Sequence, residues 1–168
     1  DKAVITCGAF AKKLTDQVNE KIPLDTERGY HVHFKGHDHL LSRPIIFLNR
    51  GFGITPMEQG LRVVGTVEFG GLDNPPSKKR IFNLVNNAKY LFPELTKHHD
   101  EWLGFRPTLP DYLPVIGPST VHKNIFYSFG HHHLGWTLGA ISGKIVAGMV
   151  AGENTNLDLL PYSSSRFT

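Results

Sequence analysis

The stretch Asn124–Gly139, NIFYSFGHHHLGWTLG, runs from a strand-like segment through Gly130 into the longest apolar segment of the chain. A strand that ends in glycine and turns directly into a helix leaves free backbone N–H groups at the helix start, where the positive end of the helix dipole lies. Such a turn suits an anionic or electron-rich ligand group. No Asp or Glu occurs in 130–139 to compete for those donors, and Gly135 and Gly139 allow a neighbour or cofactor to approach the helix backbone closely. A polar turn that binds nothing is the alternative. His131, His132 and His133 argue poorly for a metal, because adjacent residues point in different directions and no Cys, Asp or Glu is close in sequence. No metal site is expected.

The helix that follows is expected from 134 to Gly152, a natural C-terminal cap. Its segment 134–151 is nearly long enough to span a bilayer, but Lys144 sits in the middle. A buried helix is the preferred reading.

Upstream, Ala3–Cys7 reads as a buried strand stopping at Gly8, followed by a short helix over 10–18. Tyr30, Val32 and Phe34 alternate with polar residues in the pattern of a half-buried strand. Further strand-like runs at 44–48, 52–55 and 61–69 predict an antiparallel meander. Ile81, Leu84, Val85, Ala88 and Leu91 keep helical spacing until Phe92-Pro93, and 98–118 is an extended segment with four prolines. The first strand has no partner nearby in sequence, which points to one part of a larger fold.

Composition narrows the function classes. The 168 residues are 40% hydrophobic and 20% charged, as in ordinary globular proteins. A net charge of +3 with scattered Lys and Arg leaves no footprint for nucleic acid. The single cysteine, Cys7, excludes an internal disulfide and fits a reducing compartment. The expected location is cytoplasmic, with peripheral association to the inner face of a membrane as an option. No serine occupies a nucleophile-elbow pattern.

Arg106, in Gly104-Phe105-Arg106-Pro107, sits among apolar residues, and its planar fork suits bidentate recognition of a carboxylate. A structural pairing with Glu101 or Asp111 is the competing reading. Glu68, near the end of the run 61–69, faces inward or outward with equal warrant.

Taken together, these runs resemble the C-terminal half of the FAD-dependent D-amino-acid oxidase superfamily, in particular D-amino-acid dehydrogenases and glycine-oxidase-like enzymes. The resemblance rests on AVITCGAF (3–10), RGYHV (28–32), LRVVGTVEF (61–69), GFRPTLPDYLPVIG (104–117), Asn124–Leu138 and Ser165-Arg166-Phe167. It implies an α+β fold. Residues 1–20 would end an FAD-binding, Rossmann-like domain. Residues 21–105 would form a substrate-binding domain with an antiparallel or mixed sheet and a helix over 77–92. Residues 106–168 would return to the FAD-binding domain with a strand over 124–129 and a helix over 134–152.

The resemblance also implies roles. Arg106 would clamp the substrate carboxylate, with Gly53, Glu68 and His133 lining the substrate pocket. Gly8 would lie near the adenosine or ribityl part of FAD. Gly130, His131, His132, His133, Leu134, Gly135, Trp136 and Thr137 would form the turn whose amides face the flavin pyrimidine ring. The implied reaction oxidises an amino acid, with D configuration favoured, at its α-carbon by hydride transfer to flavin N5. No proton-transfer residue is assigned. A related sarcosine, proline or glycine flavin oxidase is the alternative enzyme, and a non-catalytic module binding a carboxylate or a partner is the alternative class. The G-x-G-x-x-G fingerprint for the FAD pyrophosphate does not occur in these 168 residues. The chain alone is therefore expected to be inactive and to bind FAD weakly or not at all, its partner being the N-terminal FAD-binding half of the family.

Overall fold

The first strand, β1 (Ala3–Ile5), finds its partner far along the chain. It lies parallel to the strand that precedes the histidine turn, with Ala3 opposite Ile125 and Ile5 opposite Tyr127. The computed structural model describes residues Asp1–Phe167. These fall into two compact units, one made of Asp1–Glu27 with the chain from Arg106 onward, the other of Arg28–Phe105. The chain passes between them inside two long strands, β2 (Asp25–Phe34) and β6 (His99–Thr108).

In the first unit, α1 (Ala11–Gln17) follows β1 after a single tight turn at Gly8–Phe10. The three-stranded sheet has the order β1-β8-β7, where β7 is Val115–Pro118 and β8 is Ile125–Phe129. β7 and β8 pair antiparallel, so the sheet is mixed. Strand alternation sends Ile5, Val115, Tyr127 and Phe129 into one core with Ala11, Ile22, Leu24 and Leu109. The opposite face sends Ile116 and Phe126 against Ile145 and Val146 of α3 (Gly135–Ala151).

α3 departs from expectation in its burial. It was expected to be a buried helix, but only Ser142, Ile145 and Val146 are buried, and Trp136 is fully exposed. The reason is geometric: β7 and β8 cover one stripe of the helix, where Ile116 and Phe126 meet Ile145 and Val146. Over His132–Ala151 the segment is long and apolar enough to cross a membrane by length and composition, and most of it is not buried.

The second unit holds a sheet of order β3-β4-β5-β2-β6, with β3 at Ile45–Phe47, β4 at Phe52–Met57 and β5 at Gly60–Phe69. β3, β4 and β5 form the antiparallel meander. β2 does not join that meander in sequence order; it lies between β5 and β6, and residues of both parities along it are buried, so both its faces are covered. The half-buried alternation expected for it is thus replaced by near-continuous burial from Thr26 to Phe34, with only His31 partly exposed. α2 (Lys78–Leu91) buries Ile81, Leu84, Val85 and Ala88, the i, i+3, i+4, i+7 stripe, in a core with Tyr30, Val32, Phe34, Ile54, Leu61 and Val63.

Candidate functional site

The histidine turn in the first unit is built by backbone that only glycine adopts easily. Gly130 ends β8 with φ 82°, and a Cβ there would meet Leu109 Cδ1 at 2.6 Å. His132 follows with φ 51°, an uncommon conformation for a residue with a side chain. α3 then begins with no side-chain cap and no acidic residue in its first turn. A 3-10 turn at His132–Leu134 leads into it, with the Leu134 amide donating to the His131 carbonyl at 2.8 Å, so no side chain competes at the positive end of a 17-residue helix.

The three histidines occupy three environments. His131 Nε2 lies 2.9 Å from Ser142 Oγ, and burial pushes its pKa below the ordinary histidine value. His132 Nε2 lies 2.8 Å from Oε2 of Glu27, a buried carboxylate on β2, and its ring meets Tyr112 edge to face. That approach lacks hydrogen-bond geometry, and Nε2 is left buried without a hydrogen-bond partner. His133 is exposed as a residue, yet protein crowds its ring. Burial, then the charges of His132 and Arg106, lower its pKa, and Glu27 opposes them. His131 and His133 are neutral at pH 7 on this account.

Arg106 is half-buried on β6, and its Nη1 is buried without a hydrogen-bond partner. Burial lowers its pKa and the Glu27 charge raises it. Neither acid proposed as its structural partner takes that part. Asp111 accepts from Arg166 Nε at 2.7 Å, and Glu101 pairs with His98 at 2.8 Å in the second unit. Unsatisfied donors on a buried guanidinium are costly unless a ligand supplies the acceptors.

The remaining predicted residues are placed as follows. Gly8 has φ 55° at the end of β1, with open space where a Cβ would project. Leu134, Gly135, Trp136 and Thr137 form the exposed start of α3. In the second unit, Gly53 is the second residue of β4, paired with Val64 and Ile46. Glu68 on β5 is heavily engaged: Arg28 Nε lies at 3.3 Å, Arg80 Nε at 3.5 Å, and Tyr30 donates its hydroxyl at 2.5 Å. The structure thus brings Arg106, His132 and His133 into one electrostatic cluster in the first unit. The sequence reading missed Glu27, the acid at its centre. No local pattern announced it, since Asp25, His31 and His33 make the strand look polar on alternate positions.

A family model described as "FAD dependent oxidoreductase" matches residues 1–149. The chain belongs to this family. It is 36% identical over 172 residues to a D-amino-acid oxidase of Bradyrhizobium diazoefficiens, covering 99% of this chain and 41% of the oxidase. It is 30% identical over 180 residues to a D-amino acid dehydrogenase of Vibrio atlanticus, with the same two coverages. Among solved structures it resembles glycine oxidase from Geobacillus kaustophilus with a TM-score of 0.84 and 28% identity, over 97% of this chain and 45% of that one. The chain therefore spans less than half the length of these members of the FAD-dependent family. It matches a C-terminal portion of the family's α+β fold.

Proposed function

We propose that this chain is the substrate-domain and flavin-facing portion of an FAD-dependent enzyme that oxidises an amino acid, with D-amino acids as the preferred class. The observation that carries the reading is Arg106, a half-buried guanidinium with an unpaired Nη1, in the same unit as an uncapped helix start. An amino-acid carboxylate supplies the two acceptors that the planar fork lacks, and holding it fixes the α-carbon.

The turn from Gly130 to Thr137 fits a flavin by its donor set. Amides at the start of α3, with no competing acid, match an electron-rich ring edge that gains negative charge on reduction. A flavin held there would supply a hydride acceptor for the substrate α-carbon, and the resulting imino acid would be hydrolysed by water to a keto acid and ammonia. His133, neutral at pH 7, adds a ring that contacts substrate without repelling a protonated amine. Glu68 already faces two arginines, so we read it as a structural acid rather than one free to select a basic substrate.

The exposed side of α3 bears on the rest of the family's length. A groove of about 490 Å³ is lined by Val4, Thr6, Ser128, Gly139, Gly143 and Ala147, among others. A Cβ at Gly139 or Gly143 would meet nothing. We read this face as the seat of the family's N-terminal FAD-binding part, which would also supply Gly8 with its flavin neighbour.

The test is spectroscopic. The protein carrying this chain together with an N-terminal FAD-binding half should purify yellow and bleach anaerobically with a D-amino acid. Flavin that bleaches instead with sarcosine, proline or glycine moves the reading to that alternative. A protein without flavin that binds amino acids to the 168-residue chain alone favours the non-catalytic module.

A further inference from the structure

The fold brings an acid to the histidine turn and turns two adjacent imidazoles toward each other. Adjacent side chains diverge in regular backbone, but His132 is left-handed at φ 51°. This brings the His132 and His133 rings to a centroid separation of 4.1 Å, close to perpendicular. No acid lies near in sequence, but β2 delivers Glu27. One ligating atom from each of Glu27, His132 and His133 can be chosen so that all three lie within 4.8 Å of one another.

We propose that Glu27, His132 and His133 form a binding site for a single divalent transition-metal ion of the zinc class. Two imidazoles and one carboxylate are the donor set that such ions prefer, and magnesium or calcium would require more oxygens. His132 Nε2 and Glu27 Oε2 lie 2.8 Å apart without hydrogen-bond geometry, so Nε2 is a buried polar atom with no satisfied partner. Two ligands on one tetrahedral zinc ion are roughly 3.4 Å apart, given Zn–N and Zn–O bonds of about 2.1 Å. A small separation of the pair admits the ion and satisfies both atoms. Tyr112, edge to face with His132 at 4.8 Å, holds the ring in place.

The charge balance sets the strength. Glu27 supplies one negative charge, while Arg106 lies close enough for its charge to act on both Glu27 and His133. That cation weakens the site, so micromolar affinity is expected rather than the tight binding of a structural zinc site. With three protein ligands the ion keeps an open position. The inference does not rest on flavin binding and is tested on the 168-residue chain alone.

Zinc chloride is titrated into the chain by calorimetry, and cobalt(II) is added in parallel to record its visible absorption. One ion per chain should bind with micromolar affinity, the cobalt band should appear, and zinc should raise the thermal transition. His133→Ala, an exposed substitution that leaves the core intact, should weaken binding at least tenfold and abolish the cobalt band. Glu27→Gln should do the same where circular dichroism shows it folded. His37→Ala, outside the cluster, should leave binding unchanged. Absence of one-to-one binding, or binding that survives His133→Ala undiminished, overturns the site.

Discussion

Glu20 shows how one residue can fix a local fold through charge. Its carboxylate is buried and accepts hydrogen bonds from Ser119 Oγ, Thr120 N and Oγ1, and Tyr127 Oη. Burial alone would raise its pKa, but the bonds from Ser119, Ser164, Tyr127 and Thr120 outweigh it and hold the value at about 2. The folded value is below the ordinary 4.5, so its contribution is complete above pH 4.5 and is lost as pH falls toward 2. A shift of that size corresponds to about 3 kcal/mol at neutral pH. Glu20→Gln should destabilise the chain by about 2–3 kcal/mol at pH 7 and flatten the acid limb of its stability curve, measured by urea unfolding at several pH values. His31 acts earlier in the same direction. Burial, then Arg62 and His33, lower its pKa from 6.5 to about 4, so its protonation disfavours the fold as pH falls from 6.5 to 4. His31→Phe should remove that part of the acid sensitivity.

Elements differ in how far their sequence declares them. α2 was legible because Ile81, Leu84, Val85 and Ala88 form a complete buried stripe on a helix that packs by one face. Leu84→Ala should therefore cost about 2–5 kcal/mol, read as a fall in the denaturation midpoint. The β4–β5 hairpin was legible from Glu58-Gln59-Gly60, and the structure shows why glycine is needed. Gly60 has φ 117°, and a Cβ there would lie 2.5 Å from the Phe34 carbonyl oxygen. Gly60→Ala should destabilise by at least about 1–3 kcal/mol, since backbone cannot yield as a side chain can. β2 was misread as half-buried because alternation reports one face of a strand. It cannot reveal that Arg28 and His33 are buried against Gly70, Pro75 and Arg62. The pairing of β1 with β8, 122 residues apart at Ala3 and Ile125, was invisible for the same reason: no local pattern encodes it. Of the site, Arg106 and the helix start were readable from their neighbours, whereas Glu27 needed the fold to meet His132.

At the scale of the whole chain, the first unit carries the unpaired Arg106 Nη1, the open Gly139 and Gly143 surface, and Leu134, Trp136 and Ile141 exposed along α3. An apolar helix face of this kind calls for a cover. The isolated chain should self-associate with rising concentration, and light scattering should show the association relieved by mild detergent. The account's central claim is that Arg106 receives an amino-acid carboxylate beside a bound flavin. It is tested most directly by anaerobic flavin bleaching, titrated with a D-amino acid, in the complete flavoprotein and its Arg106→Met variant. The account predicts an unchanged flavin spectrum and a half-saturation concentration at least thirtyfold higher in the variant, the loss of a charged contact being about 2–4 kcal/mol. Equal half-saturation in the two proteins would contradict it.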